Sequence, residues 1–297
     1  MIMANGSALQ AARAQIAELL KAARTGAIIP IRLPGQIEAI ETLLAKAEEE
    51  HAEELKQNSA PPSLEEYMKD QAAFISHAVH ELRTPMTSIR GYTDMLNTPA
   101  MGELNEMQKQ FLDTVRTNAR RMEGLLSDVS DINKLRAGTL RLNQKMDMFK
   151  NVAMMVEKQL AATAVDMKRK LTFDIPQGLP LLNTDGEMLV KVLVKLVENA
   201  LRYSPEETGE VKVSGAADGS NLVITVEDNG IGMTPEELAQ LGTLYFRGEN
   251  DVVRAYKGSG MGIPIVFGLI KLLGGEIFIE SESNKGTKFT IRLKGIS

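Results

Sequence analysis

Apolar residues recur at Ile75, Val79, Leu82, Met86, Ile89 and Leu96, with spacings of 4, 3, 4, 3 and 7. A heptad seam of this length commits the chain to a long helix with one narrow stripe to bury against another helix. Ser63 followed by Glu66 forms a capping box just after Pro61-Pro62 and marks where that helix starts. The stretch NTPAMGELN breaks it, and a second seam runs through Leu112, Val115, Ala119, Met122, Leu126 and Val129. Together they predict an antiparallel hairpin of roughly 35 residues per arm. Such a hairpin alone leaves apolar surface exposed; a two-fold homodimer, closing a four-helix bundle, covers it.

The remainder of the 297 residues divides on either side of the hairpin. Ahead of it, Ser7 to Arg24 and Gly35 to Gln57 read as two helices separated by TGAIIPIRLPG, the second studded with Glu and read as a solvated or coiled-coil face. After Leu135 the pattern changes to short β-like runs, LTFDI (171–175), EVKVSG (210–215), NLVITVED (221–228), GEIFIES (275–281) and TKFTIRL (287–293). Helical stretches at about 148–165, 186–203 and 260–273 interrupt them, which reads as a mixed sheet covered by helices. The expected class is α+β: N-terminal helices over 1–60, a hairpin over 61–140 and an α/β sandwich over 146–297.

Composition narrows the chemistry. Cysteine is absent and histidine occurs three times, at His51, His77 and His80, which excludes thiol catalysis, disulfides and most transition-metal sites. A net charge of −5 and 13 scattered aromatics argue against nucleic acid as a partner. No run of about 18 apolar residues is present, and the N-terminus lacks signal-peptide features, so the expectation is a cytoplasmic chain without a membrane segment.

His80 lies one residue beyond seam position Val79, which turns it off the core line toward solvent, with Thr84 one turn further on. Pro85 sits inside the same helix, where it removes an amide donor and frees the carbonyl of Glu81. A neutral imidazole is a good nucleophile near neutral pH, and an adjacent carboxylate can orient it and take its proton. The stretch SHAVHELRTPMTSI resembles the phosphoacceptor box of sensor histidine kinases, His-Glu-x-x-Thr/Asn followed by Pro, at His80, Glu81, Thr84 and Pro85. His77 matches no position of that box, and His51 belongs to the Glu-rich helix.

The helix 186–203 carries a polar stripe of Lys191, Lys195, Glu198, Asn199 and Arg202, which by itself reads as a solvated face. Three glycine-bearing segments follow: DNGIGM (228–233) after a strand, KGSGMG (257–262) opening a helix, and NKGTKF (284–289) before the last strand. Glycine-rich turns at helix starts let backbone amides reach phosphate. In order, VENALRYSP, DNGIGM, LYFRG (244–248), KGSGMGIPIV and NKGTKF resemble the boxes of the histidine kinase ATP-binding domain, a Bergerat-type fold similar to type II topoisomerases, the Hsp90 chaperone and MutL. The resemblance spans about 64–297.

That resemblance implies roles. Asn199 becomes the magnesium ligand, and Asp228 accepts from the adenine amino group, with Gly230, Gly232 and Tyr203 around the base. Arg202, Lys257 and the amides of Gly258, Gly260 and Gly262 meet phosphates; Phe246 and Arg247 lie in a lid at roughly 233–260; Thr287 completes the pocket from the last turn. The family usually carries a second Asn where this chain has Lys195, which either contacts phosphate as a point charge or lowers metal affinity.

The implied activity is autophosphorylation of His80 by Mg-ATP in a homodimer, transfer to an aspartate of a response regulator receiver domain, and dephosphorylation of that receiver assisted by Thr84. The competing readings are a phosphatase-biased or kinase-inactive dimeric scaffold gated by ATP, and an ATPase of the chaperone type, for which Lys195 stands where a general-base Glu is needed.

Overall fold

The computed structural model describes residues 64–296, with side chains from 69 onward, and in the N-terminal region residues 11, 14–18, 21, 35 and 38–46. The chain forms two compact units, Met1–Tyr67 and Met68–Ser297. In the first, the described residues are helical, and Ile40 is buried. The helix-separating segment, the capping box at Ser63 and His51 lie outside the described residues and side chains.

Helices α1 (Leu64–Leu96) and α2 (Glu106–Arg136) form the expected antiparallel hairpin. A single 3₁₀ turn, Pro99–Met101, bridges them, and Asn105 starts α2 through a reciprocal capping box with Gln108, each bond 2.9 Å. Three cross-arm contacts set the register: Asn133 Nδ2 donates to the Ala72 carbonyl, Arg90 pairs with Glu123 and Arg116 with Asp94. The seams are only half used within one chain. Val79, Met86 and Ala119 are buried, whereas Leu82, Ile89, Leu96, Val115 and Met122 are exposed.

Seven strands follow: β1 (Lys145–Met148), β2 (Lys170–Asp174), β3 (Leu181–Thr184), β4 (Glu210–Asp218), β5 (Asn221–Asp228), β6 (Glu276–Glu282) and β7 (Gly286–Ile296). They join in the order β1-β3-β7-β5-β4-β2, with β6 also paired to β7. Only β2 and β4 run parallel. Period-2 alternation sends Val211, Val213, Leu222, Ile224, Val226, Ile291 and Leu293 to the buried face. Helices α3 (Phe149–Asp166), α4 (Gly186–Tyr203) and α7 (Gly262–Leu272) contribute to the same core, and short helices α5 (Pro235–Gln240) and α6 (Asp251–Ala255) lie in the loop between β5 and α7.

The five strand runs and three long helices read from the sequence are present to within a few residues. Strands β1 and β3 were not anticipated: KMDM and LLNT are four residues long, too short for alternation to register. Between hairpin and sheet, Asp185 fastens the linker. Buried at the N-cap of α4, its Oδ1 accepts from Met188 N at 3.1 Å and its Oδ2 from Asn143 N at 2.8 Å.

The C-terminal half of α2 packs on the α/β layer. Leu125, Val129, Ile132 and Leu135 join the sheet domain's core, and Leu135 approaches Gly268 so closely that a Cβ there would lie 2.8 Å from its Cδ1. Gly268→Val should therefore destabilise the protein by about 1–3 kcal/mol through overpacking of the α2–α7 contact. Urea unfolding followed by circular dichroism measures this; an unchanged midpoint would show that the contact carries no packing constraint.

Candidate nucleotide site and phosphoacceptor histidine

Helix α4 is two-faced, and burying one face aims the other. Leu189, Val192, Leu193, Leu196, Val197, Ala200 and Leu201 are buried in the core. The opposite stripe therefore emerges beside the sheet's edge, where Lys195, Glu198, Asn199 and Arg202, together with Tyr203, line a cavity of about 290 Å³. Asp228, Gly232 and Thr287 line it from β5 and the last turn. Phe246, Arg247, Lys257, Gly258, Gly260 and Gly262 come from the loop before α7. The structure thus gathers every sequence-predicted nucleotide residue except Gly230, which does not line the cavity but donates its amide to Asp228 Oδ1 at 2.9 Å.

Asp228 ends β5, and Thr287 N also donates to its Oδ1, at 3.2 Å. Both bonds fall on one oxygen, which leaves Oδ2 as the acceptor open to a ligand. Burial pushes this carboxyl up to about 6, against the opposing pull of the two amides. Burial also raises Glu198, with Arg202 and Lys195 pulling the other way.

The two glycine turns beside the cavity interlock. Gly232 has φ 60° and any Cβ there would strike the Glu282 carbonyl; Gly286 has φ 92° and its Cβ would strike the Asp228 carbonyl. Backbone bonds from Asn284 N to Ile231 O and from Ile231 N to Tyr203 O tie both turns to the end of α4. The loop over the cavity is held by its own groups. Arg247 Nη2 donates to the carbonyls of Val253 and Tyr256, so its guanidinium is engaged with loop backbone. Tyr256 meets Tyr203 edge-on at 6.3 Å, and its hydroxyl accepts from Arg169. Neither Arg169 nor Tyr256 carries a sequence signal for this role.

Sequence reasoning also missed the remaining wall, which the hairpin supplies: Arg121, Gly124, Leu125 and Asp128 of α2 line the same cavity. Two ion pairs fix this arrangement. Lys195 pairs with Asp128, and Lys191 Nζ reaches both oxygens of Asp131 at 2.7 and 2.9 Å. The Lys195–Asp128 side chains are only 16% and 17% exposed. Each such pair sits between the near-zero value of a surface pair and the several kcal/mol lost on breaking a buried one. Lys195, offered by the sequence as a phosphate contact, is in this structure committed to a carboxylate of the hairpin. The only sign of this in the sequence is spacing: aspartates three apart on one helix and lysines four apart on another.

His80 stands 74% exposed on α1, its Nδ1 3.5 Å from Glu81 Oε1, with Thr84 exposed on the next turn. The helix continues through Pro85. His77 is exposed, and neither histidine lines the cavity. Among the described residues no cluster of three His, Cys, Asp or Glu offers a metal site, and no helix is long and apolar enough to cross a membrane.

A helical hairpin bearing an exposed His-Glu pair is joined to a mixed-sheet layer with a glycine-lined cavity, and each of the two parts matches a known protein family. Residues 70–138 match the His Kinase A (phospho-acceptor) domain, and residues 184–295 match the histidine kinase-, DNA gyrase B- and HSP90-like ATPase domain. The chain is 29% identical over 223 residues to the histidine protein kinase DivJ of Caulobacter vibrioides, covering 75% of this chain and 37% of that one. It is 31% identical over 237 residues to the aerobic respiration control sensor protein ArcB of Escherichia coli strain K12, covering 78% and 29%. Among solved structures, full-length ShkA in complex with AMPPNP superposes with a TM-score of 0.60 at 22% identity, covering 77% of this chain and 46% of that one. The Acinetobacter baumannii histidine kinase AdeS gives 0.51 at 24%, covering 73% and 98%. The chain belongs to the sensor histidine kinase family; it spans less than half the length of the curated relatives it matches.

The interlocked glycine turns yield a stability prediction. Gly286→Ala forces a side chain into a left-handed backbone already pressed on the Asp228 carbonyl, and should cost about 1–3 kcal/mol. Thermal unfolding measures it; an unaltered transition would mean that the last turn can shift away from β5 freely.

Proposed function

We propose that this chain is an ATP-dependent protein-histidine kinase that phosphorylates His80 and passes the phosphoryl group to an aspartate of a response regulator receiver domain. One observation carries the reading: a single cavity gathers Asn199, Arg202, Asp228, Lys257, Gly258, Gly260 and Gly262, in the same unit as an exposed His-Glu pair. Residues 61–140 act as the dimerisation and phosphotransfer hairpin, and residues 146–297 as the catalytic ATP-binding domain. Because the reaction consumes ATP, its place is the cytoplasm.

The adenine amino group donates to Asp228 Oδ2, and Gly232, Tyr203 and Thr287 enclose the base. Cations at Arg202 and Lys257, with the loop amides, hold the phosphates. Asn199 would hold magnesium through its amide oxygen, with phosphate oxygens and water supplying the remaining ligands. Magnesium when bound neutralises the phosphate charge.

Glu81 accepts the Nδ1 proton of His80, which leaves the Nε2 lone pair pointing outward as the nucleophile. Nε2 attacks the γ-phosphorus in line, the N–P bond forms, the bond to the β,γ-bridging oxygen breaks, and ADP leaves. Glu81 takes up the imidazole proton. Thr84, on the same exposed face, positions water for receiver dephosphorylation. His80 does not line the cavity, so transfer takes place after the α/β layer reseats on the hairpin, or onto the hairpin of the second copy. Dimerisation is supported by the exposed apolar line Leu82, Ile89, Leu96, Val115 and Met122.

Incubation with γ-labelled ATP and magnesium should give acid-labile, base-stable phosphate on the wild type and none on His80→Gln, with mass spectrometry placing it on His80. Label on the wild type at another residue, or none, would sink the reading.

Asp228 gives a pH signature. The ionised carboxylate accepts from the adenine amino group far better than the protonated form, whose Oδ2 becomes a donor, and burial places the group at about 6. Nucleotide affinity should therefore be flat at higher pH and fall as pH drops through 6, approaching tenfold per unit. Asp228→Asn should abolish that slope and weaken binding; titration calorimetry across this range is the check.

A further inference from the structure

We infer that hairpin helix α2 is part of the nucleotide site, with Arg121 a contact to the terminal phosphates and Gly124 the gap that admits them; the inference rests on the nucleotide reading of the cavity. Four facts converge on it.

The first is register. Asp131 pairs with Lys191 and Asp128 with Lys195, so α2 runs antiparallel along the polar stripe of α4. One further turn brings Gly124 level with Asn199, and the next brings Arg121 level with Arg202. Arg121, Gly124, Asn199 and Arg202 all line the cavity, as this register requires.

The second is charge. Arg121, Arg202 and Lys257 line one cavity, and none forms an ion pair among the described residues. Glu198 in the same wall offsets Arg202, and Asp128 is taken by Lys195, so Arg121 and Lys257 are left without an ion-pair partner among the described residues and favour an anion between them. On α2 itself, both aspartates of the stripe facing α4 are neutralised by lysines, while its arginine is not.

The third is Gly124. It lies in the interior of α2, where glycine costs about 1 kcal/mol relative to alanine. A Cβ at this position would meet nothing within 4 Å, so neither close helix packing nor backbone conformation explains the residue. What Gly124 does border is the cavity that Asn199 also lines, and with glycine there the wall carries no side chain at this point.

The fourth is support. Lys195–Asp128, Lys191–Asp131 and the Leu135–Gly268 contact hold α2 at this distance without the nucleotide, so the wall is formed in advance of binding.

The test is titration calorimetry of the full chain with Mg-ATP, Mg-ADP and adenosine. Arg121→Ala should weaken ATP by about tenfold, the scale of one charge-assisted hydrogen bond, ADP by less, and adenosine not at all. Arg121→Lys should recover part of the ATP affinity. Gly124→Leu should weaken ATP and ADP while leaving the melting temperature equal or higher, because leucine favours the helix. Wild-type binding with ATP affinity untouched by Arg121→Ala, or lowered equally for adenosine, overturns the inference and leaves the nucleotide site standing. Gly124→Leu that binds ATP normally overturns it too. No binding by the wild type overturns both.

Discussion

The burial of one face of α4 sets the geometry of everything functional in this protein. Seven apolar side chains between Leu189 and Leu201 sink into the core against β4 and β5 and against helices α3 and α7. At about 0.8 kcal/mol per buried CH₂, rotating the helix to bring its polar stripe inward is prohibitive. Lys191, Lys195, Glu198, Asn199 and Arg202 are consequently fixed along one line on the far side. Asp185 at the N-cap fixes the start of that line, and the Ile231–Tyr203 backbone bond attaches the glycine turn to its end. The cavity is what remains between this stripe, the two interlocked turns and the loop that closes on Tyr256.

Helix α2 faces three ways at once, and the heptad explains how. One set of positions, including Ala119 and Glu123, meets α1. A second, Leu125, Asp128, Asp131, Ile132 and Leu135, meets α4 and α7 in a mixture of apolar contact and ion pairing. A third, Val115 and Met122 with Phe111 and Met107, is left exposed. A helix in a bundle commonly divides its circumference between neighbours, and here the α/β layer occupies one sector as another helix would.

The hairpin and the sheet layer were legible because periodicity is a long-range signal that single substitutions do not erase. Two seams over 60 residues, and alternation over β5 and β7, survive Thr, Gly and Lys intrusions. The glycine turns were legible for a different reason: at Gly232 and Gly286 the backbone approaches another chain segment too closely for any Cβ, so the sequence shows the constraint directly. The hairpin's share of the cavity was not legible. Arg121, Gly124 and Asp128 lie 71 to 78 residues from Asn199 in sequence, and nothing in their local pattern distinguishes a wall of a cavity from a solvated face. The stripe on α4 failed in the same way. Read alone it is a solvated face, and only the apposed carboxylates of α2 reveal why its first two members are lysines. Tertiary charge pairing leaves no periodic trace when each partner occupies an ordinary helix position.

Lys195 shows how one position can serve two parts of the molecule. At 16% exposure, beside Asp128 at 17%, it is partly desolvated, so its charge requires a partner at all times. In this structure that partner is on the hairpin, yet the same side chain lines the cavity in which polyphosphate would sit. An incoming phosphate and Asp128 would share one ammonium, which can donate three hydrogen bonds and so need not leave either. An asparagine in its place would offer phosphate a neutral amide donor and Asp128 no compensating charge. The lysine thus ties the seating of the α/β layer on α2 to the electrostatics of the nucleotide site. On the proposed chemistry, in-line attack needs reacting atoms within about 3–3.5 Å, and with His80 outside the cavity wall it calls for either a second arrangement of hairpin and α/β layer or the hairpin of a second copy. In the first case, the strength of the Lys195–Asp128 and Lys191–Asp131 pairs sets how readily this one is left.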